Sequence, residues 1–399
     1  MGGGDGPTGK LTRASGLPAG EMSPAHIQEV AVFRFLQAAT SWIPTHAIRD
    51  PKDFFSNIAS KSEYPMRSLA ITFLLLFSLT LLSAQQSIRV AFYNVENLFD
   101  LEDDPKTLDE DFTPTGKQQW TAERYQKKLG QLAKVLEEMG SPVLVGLAEV
   151  ENGKVLEALA ATGPLRESKY GIAHFDSPDL RGIDVALLYQ KKSFKVLEQD
   201  FIRIDFPPED GEAYTSRDIL HVKGKLKSSG DVLDIFVNHW PSRRGGLEAS
   251  EPRRLLVASK LKAKVDELFA ADSLANILIM GDFNDEPENK SVRMVLGAQP
   301  LESSMAPRSL YNCFSVYQGK KLGSYNYRGD WNMLDQIIVS TNLAQGGKKL
   351  HVSTPAIFGP EWLFYKDSRN GPTPNRTYGG PNYYGGYSDH LPVFVDLVY

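Results

Sequence analysis

Two short runs hold the residue types from which phosphate-ester chemistry is built: Gly281-Asp282-Phe283-Asn284-Asp285 and Ser388-Asp389-His390. The first follows the apolar run Ile277-Leu278-Ile279-Met280, which reads as a buried strand. Its carboxylate and amide stand two residues apart on the turn at that strand's end, where both can face one cavity. The second sets a carboxylate beside an imidazole just before the apolar segment Val393-Phe394-Val395. Acidic groups with an amide and an imidazole suit divalent-metal-assisted attack on a phosphate ester. Taken singly, each run is equally well an ordinary turn, because Asp and Asn start turns for their own reasons.

The elements around them repeat the same relation. Ile88–Tyr93 alternates as a strand and ends at Asn94; Val143–Ala148 is nearly all apolar and ends at Glu149. Strands are expected over Asp184–Gln190, Phe194–Gln199, Arg217–Leu226 and Val232–Asn238, the last bringing Asn238 and His239 to its end. Leu334–Ser340 carries Asp335 at its start, and Leu391–Leu397 follows His390. Thr121 to Met139 has a helical apolar period with Thr121 as N-cap, and a second helix is expected over Glu251–Ala270. Six strand termini that each deliver an amide, carboxylate or imidazole are hard to explain as turns. Glu149 is the sharpest case, since a lone acid ending an apolar strand is costly to bury unpaired.

At 399 residues, 42% of them hydrophobic, the chain can bury a large core. A net charge of −5 gives no overall basic footprint for nucleic acid, which argues against tight passive binding but not against an enzyme with a local basic patch. Cys313, the only cysteine, cannot form an internal disulfide and is expected to be structural. Met66-Arg67-Ser68, the apolar run Leu69–Leu82 and Ser83-Ala84-Gln85 form a basic start, a short apolar core and a small-residue cut site. That is the pattern of a secretory signal peptide over 66–84, short for a membrane span. Residues 1–65 form an extension of uncertain status, and translation is expected to begin at Met66; the alternative is a signal anchor. An exported, periplasmic or extracellular protein is therefore expected. Residues 85–399 read as one α/β domain, interrupted by the aromatic stretch Gly359–Gly386, either a substrate-shaping loop or an insertion.

Taken in order, Phe92–Phe99, Gly146–Val150, Val237–Ser242, Gly281–Asn284, Trp331–Asp335 and Ser388–Pro392 resemble the deoxyribonuclease I-like endonuclease/exonuclease/phosphatase superfamily. The resemblance spans residues 88–395. It implies a four-layer α/β/β/α sandwich with two mixed β-sheets face to face, and a metal-dependent phosphodiesterase or phosphatase. On that resemblance Glu149 is the principal metal ligand, with Asn94 and Asp389 near the ion directly or through water. Mg2+ is expected, with Mn2+ or Ca2+ as substitutes. His390 is the base or phosphate-polarising group oriented by Asp335, Asp282 and Asn284 place water and bind phosphoryl oxygens, and His239 serves the leaving oxygen.

Asp184 is a candidate partner of His239, or an ordinary turn residue; Ser242 and Arg243 are candidate phosphate contacts, or solvated loop residues. Arg243, Arg244, Arg253 and Arg254 together suggest a basic rim. Nucleic acid is the expected substrate of a secreted nuclease. A phospholipid or sugar phosphate is the alternative, with Trp362–Tyr365 either entering a bilayer or stacking on bases. A catalytically dead binding protein is disfavoured, because every charged motif position is filled. A monomer without an obligate protein partner is expected.

Overall fold

In the first strand, β1 (Ser87–Leu98), Val90 and Phe92 face one apolar core while Ala91 and Tyr93 face another, as successive side chains of a strand must. A strand buried on both faces needs cover on both, and that requirement generates the layers. The computed structural model describes residues 86–208, 213–345, 350–367 and 371–399, all within a unit that begins at Ala84. The expected extension and signal segment lie outside the described residues.

Seven strands form the first sheet: β1, β2 (Leu144–Val150), β3 (Tyr170–His174), β4 (Asp184–Gln190), β14 (His351–Val352), β15 (Ala356–Ile357) and β20 (Val393–Val398). The second sheet also has seven: β5 (Phe194–Ile202), β6 (Ile219–Leu226), β7 (Val232–His239), β8 (Ile277–Asp282), β9 (Ala298–Pro300), β10 (Leu310–Asn312) and β13 (Asp335–Ser340). Both are mixed: β1–β2 and β7–β8 run parallel, whereas β1–β20 and β8–β13 run antiparallel. Val90, Phe92, Leu144 and Leu187 of the first sheet meet Leu233, Ile235, Leu278 and Met280 of the second in one core. Helices α1 (Ala122–Glu138) and α2 (Gly153–Ala160) cover the outer face of the first sheet. Helix α3 (Leu247–Ala271) covers that of the second through Val257, Leu261 and Val265. The result is the expected four-layer sandwich. Thr121 caps α1, its hydroxyl accepting from the Arg124 N–H at 3.4 Å.

Three two-stranded ribbons stand outside the sheets: β11 (Tyr325–Tyr327) with β12 (Asp330–Asn332), β16 (Phe364–Asp367) with β17 (Gly371–Pro374), and β18 (Tyr378–Gly379) with β19 (Asn382–Tyr383). The aromatic stretch is thus largely ordered. Two expected boundaries move. Strand β6 begins at Ile219 rather than Arg217, because the Arg217 guanidinium turns to the carbonyls of His239 and Trp240 at 3.2 and 2.8 Å. Helix α3 starts a turn earlier than the apolar period suggests, at Leu247.

Candidate active site

Sheet register alone lines up three of the candidate residues. Parallel pairing of β7 and β8 sets His239 opposite Asp282, and antiparallel pairing of β8 and β13 sets Asp282 opposite Asp335. The strands can approach so closely at this edge because residue 281 is glycine: a Cβ there would lie 2.4 Å from the carbonyl oxygen of Asn238. The first sheet brings the rest. Asn94 pairs with Ala148 where the regular register of β1 and β2 breaks, and a bulge between Ala148 and Val150 leaves Glu149 with φ of 63°. A bulge re-aims the side chain of its extra residue, and Glu149 lines the cavity between the sheet edges. Ser388 fastens the last segment, its hydroxyl donating to the Asn94 carbonyl at 2.7 Å and accepting from the His390 N–H at 3.1 Å.

The cavity, of about 810 Å³, is lined by Glu149, His239, Asp282, Asn284, Asp389 and His390, with Ser242 and Arg243 at its side. Asp335 lies beneath, fully buried, its carboxylate 2.6 Å from Nδ1 of His390. Nε2 of His390 is 3.8 Å from Oδ2 of Asp282, and Nε2 of His239 approaches the same oxygen at 3.7 Å and Oε1 of Glu149 at 3.9 Å. The Asn94 amide donates to Asp282 at 3.1 Å. Asn284 donates its own N–H to Asp282 and its side-chain amide to the Trp240 carbonyl.

Charge divides the two histidines. Burial works against a charged His390 ring, yet Asp335, Asp282 and Asp389 hold its pKa well above the usual imidazole value. Burial pushes His239 well below that value, and Arg217, Arg181 and His390 add to the effect. Burial raises Asp282 to about 6 against the opposing pull of His390.

The donor set fits a divalent cation. Every acidic ligand in the cavity offers oxygen and no thiol reaches it, as hard ions such as magnesium prefer. Oxygens of Glu149 and Asp282 both lie within 4 Å of one atom, Nε2 of His239. Asp282, Asp335 and His390 also bring potential ligand atoms together, but Nδ1 of His390 and Asp335 are already committed to each other. Glu149, 3.5 Å from the Asn94 amide, lines the same cavity as Asp389 and offers further oxygens to a cation. In this conformation the Asn94 nitrogen faces Glu149 while its oxygen accepts from the Glu96 N–H, so ligation through the oxygen requires the amide to turn over.

Not every candidate belongs. Asp184 does not meet His239: its carboxylate takes the N–H and hydroxyl of Ser177 and the Nε2 of His174 at 3.0 Å, and it lies outside the cavity lining. Its register partner is Val150, one position past the bulge that points Glu149 into the site. Arg254 is not part of a basic rim either, being fully buried with Nε 2.8 Å from Asp285, and Arg253 lies over the Tyr214 ring. Arg243 spends its guanidinium tying loops together, on the Asn284 carbonyl at 2.8 Å and the Asn332 side chain at 2.9 Å. Cys313 is buried, its thiol pushed up to about 12 by burial.

Other residues escape a reading of strand ends. The Tyr325 ring lies 4.8 Å from that of His390. Arg376 bonds Asp389 at 2.9 Å and approaches Glu96 at 3.7 Å. Glu96 also accepts the N–H groups of Thr377 and Tyr378 and is raised to about 7 by burial and Asp389. Lys128 is buried in α1, donating to Thr377 and to the Tyr387 carbonyl at 2.6 Å each. Tyr325 and Arg376 sit in short ribbons or loops without an apolar period. Only the acid at Glu96 and the basic residue on the inner face of α1 were visible signals.

Residues 89–398 match the Endonuclease/Exonuclease/phosphatase family. No curated protein matches the chain at a significant level. Among solved structures, an endonuclease/exonuclease/phosphatase family protein from Bacteroides thetaiotaomicron is 18% identical, with a TM-score of 0.50 over 79% of this chain and 98% of its own. A mannosyl-6-phosphatase from Bacteroides thetaiotaomicron is also 18% identical, with a TM-score of 0.50 over 78% of this chain and 100% of its own. At this identity both likenesses concern the fold.

Proposed function

Since the chain belongs to the endonuclease/exonuclease/phosphatase family and is thereby a metal-dependent phosphoric ester hydrolase, we propose that it hydrolyses phosphodiester bonds of nucleic acid, with Mg2+ as its cation. One observation carries the reading: two histidines, shifted in opposite directions by their surroundings, flank the Asp282 carboxylate in a cavity that Arg181 and Arg244 also line. Glu149, with Asn94 and Asp389, would hold the cation, which would supply Lewis-acid polarisation of the phosphoryl group. Asp335 fixes the tautomer and orientation of His390, whose Nε2–H is presented to a phosphoryl oxygen. Asp282 orients the attacking water and takes its proton, with Asn284 holding the geometry of that turn. His239, held neutral by burial, donates a hydrogen bond to the leaving oxygen, which takes its proton from solvent as the P–O bond breaks. The arginine rim attracts the phosphate backbone locally, which the acidic whole does not.

A second reading, a phosphatase for sugar phosphates, draws on the mannosyl-6-phosphatase among the similar structures. Of the aromatic stretch on which the phospholipid reading draws, Trp362 packs against Tyr387 and under Lys134, while Tyr365 stays exposed. On the strength of the segment over 66–84, we place the enzyme outside the cytoplasm. A panel of plasmid DNA, RNA, bis-p-nitrophenyl phosphate, sphingomyelin, inositol phosphates and mannose 6-phosphate, each with Mg2+ and purified protein, tests the choice. Turnover of the nucleic acids far above the other esters is expected; selective turnover of mannose 6-phosphate would replace this reading with the second.

A further inference from the structure

A second cavity of about 710 Å³ adjoins the first and shares Tyr325, Tyr327 and Asp389 with it. It belongs to neither main sheet. The three ribbons build it: Tyr325 and Tyr327 come from β11, Tyr365 from β16, and Tyr383 from β19, with Tyr384 just beyond. Tyr327, Tyr365 and Tyr384 are 54%, 59% and 60% exposed, so these rings are not spent on the core. Arg328 and Arg376 supply positive charge, the former 5.1 Å from the Tyr327 ring. The only carboxylate among the lining residues is Asp389, which Arg376 already pairs.

Such a composition selects its ligand. Phenol rings offer flat faces on which planar groups stack, and the two guanidinium groups favour an anion beside them. A lipid chain would want aliphatic walls, which this cavity lacks. The catalytic cavity by itself is large enough for a small phosphate ester, since ligand pockets run from about 300 to 1,000 Å³. A second space of similar size, joined to the first through Tyr325 and Tyr327, accommodates a further unit of a longer substrate. Bases in a duplex are stacked on one another and cannot lie on these rings, whereas those of a single strand can.

We propose that the tyrosine-lined cavity is a subsite for the nucleotide next to the scissile phosphate of a single-stranded nucleic acid, its base stacked on the exposed rings and its phosphate near Arg328 or Arg376. This rests on the nuclease reading and names the form of nucleic acid cleaved. The double variant Tyr365→Ala/Tyr384→Ala tests it, because both rings are exposed and neither lines the catalytic cavity. Cleavage of a single-stranded oligonucleotide is compared with hydrolysis of bis-p-nitrophenyl phosphate, with the thermal midpoint as a check on folding. We expect kcat/KM on the oligonucleotide to fall about tenfold or more, mostly through KM, as loss of base–aromatic stacking requires, while the small ester is hydrolysed at the wild-type rate. An unchanged oligonucleotide rate, or an equal fall on both substrates, would overturn the subsite and leave the nuclease reading standing. If wild type hydrolyses the small ester but no oligonucleotide, the nuclease reading falls and the subsite with it. A fall confined to sugar phosphates would assign the cavity to a sugar ring and overturn the proposal as stated.

Discussion

His239 ends a strand of the second sheet and His390 precedes one of the first, so each sheet delivers an imidazole to Asp282 from its own side. The distances to Asp282 are nearly equal, 3.7 and 3.8 Å, yet their surroundings shift their pKa values in opposite directions. Nδ1 of His390 rests on the buried carboxylate of Asp335, whereas Nδ1 of His239 is buried without a hydrogen-bond partner among the described residues, and the ring feels the guanidinium groups of Arg217 and Arg181. Burial disfavours the charged form of both rings; a carboxylate at 2.6 Å reverses that for one of them. The role of a histidine in this site is therefore set by its neighbours and not by its place at a strand end.

The broadest test removes what both histidines depend on. Glu149→Gln is expected to abolish most turnover with the fold intact, measured by activity and circular dichroism, and excess chelator should do the same. Full turnover in chelator would sink the metal assignment. Next come the rings themselves: His390→Ala and His239→Ala should each lower kcat roughly 10²-fold or more, as expected for loss of a positioned hydrogen-bond donor to charge that develops on a phosphoryl or leaving oxygen. Near-normal kcat in His239→Ala would make that ring structural and end the symmetry between the two. Asp335→Asn should act through His390 alone, so the double variant His390→Ala/Asp335→Asn should be little worse than His390→Ala. Additive effects would separate the pair.

A pH profile probes the carboxylate between the rings. Asp282 is raised to about 6, and it accepts a proton only when ionised, so kcat/KM should fall as pH is lowered through about 6. The fall should vanish in Asp282→Asn, whose residual rate ought to be flat across that range. The smallest effect lies outside the site and concerns stability. Burial, with Asp100 and Asp109, raises Glu151 from 4.5 to about 8. The folded state then holds a proton that the unfolded chain releases, so this contribution is present below about 4.5 and lost as pH rises through about 8. Glu151→Gln keeps an oxygen for the Asp100 N–H and should flatten the decline in melting temperature between pH 5 and 8. An unaltered slope would show that other groups control it.

Local pattern was enough for what is local. Apolar alternation or unbroken apolar runs placed β1, β2, β7, β8 and β13, and an amide, acid or imidazole at the edge of an apolar pattern marked Asn94, Glu149, His239, Asp282, Asp335 and His390, because side-chain period and burial are properties of short stretches. Whatever depends on register between distant strands was hidden. The bulge that aims Glu149 into the cavity puts Asp184 outside it, and nothing in the residues around Asp184 says that His174 takes it. Arg254 reads as a surface charge on a helix until Asp285, 31 positions on, is found to bury it. The opposite states of the two histidines arise from carboxylates and guanidinium groups that the chain supplies from far away in sequence. The second cavity likewise needs three ribbons, from residues 325–332 and 364–383, folded against one another. Residue types and their period determined which groups this protein has for phosphate-ester chemistry; long-range pairing alone decided which of them share a cavity, and the field each one feels.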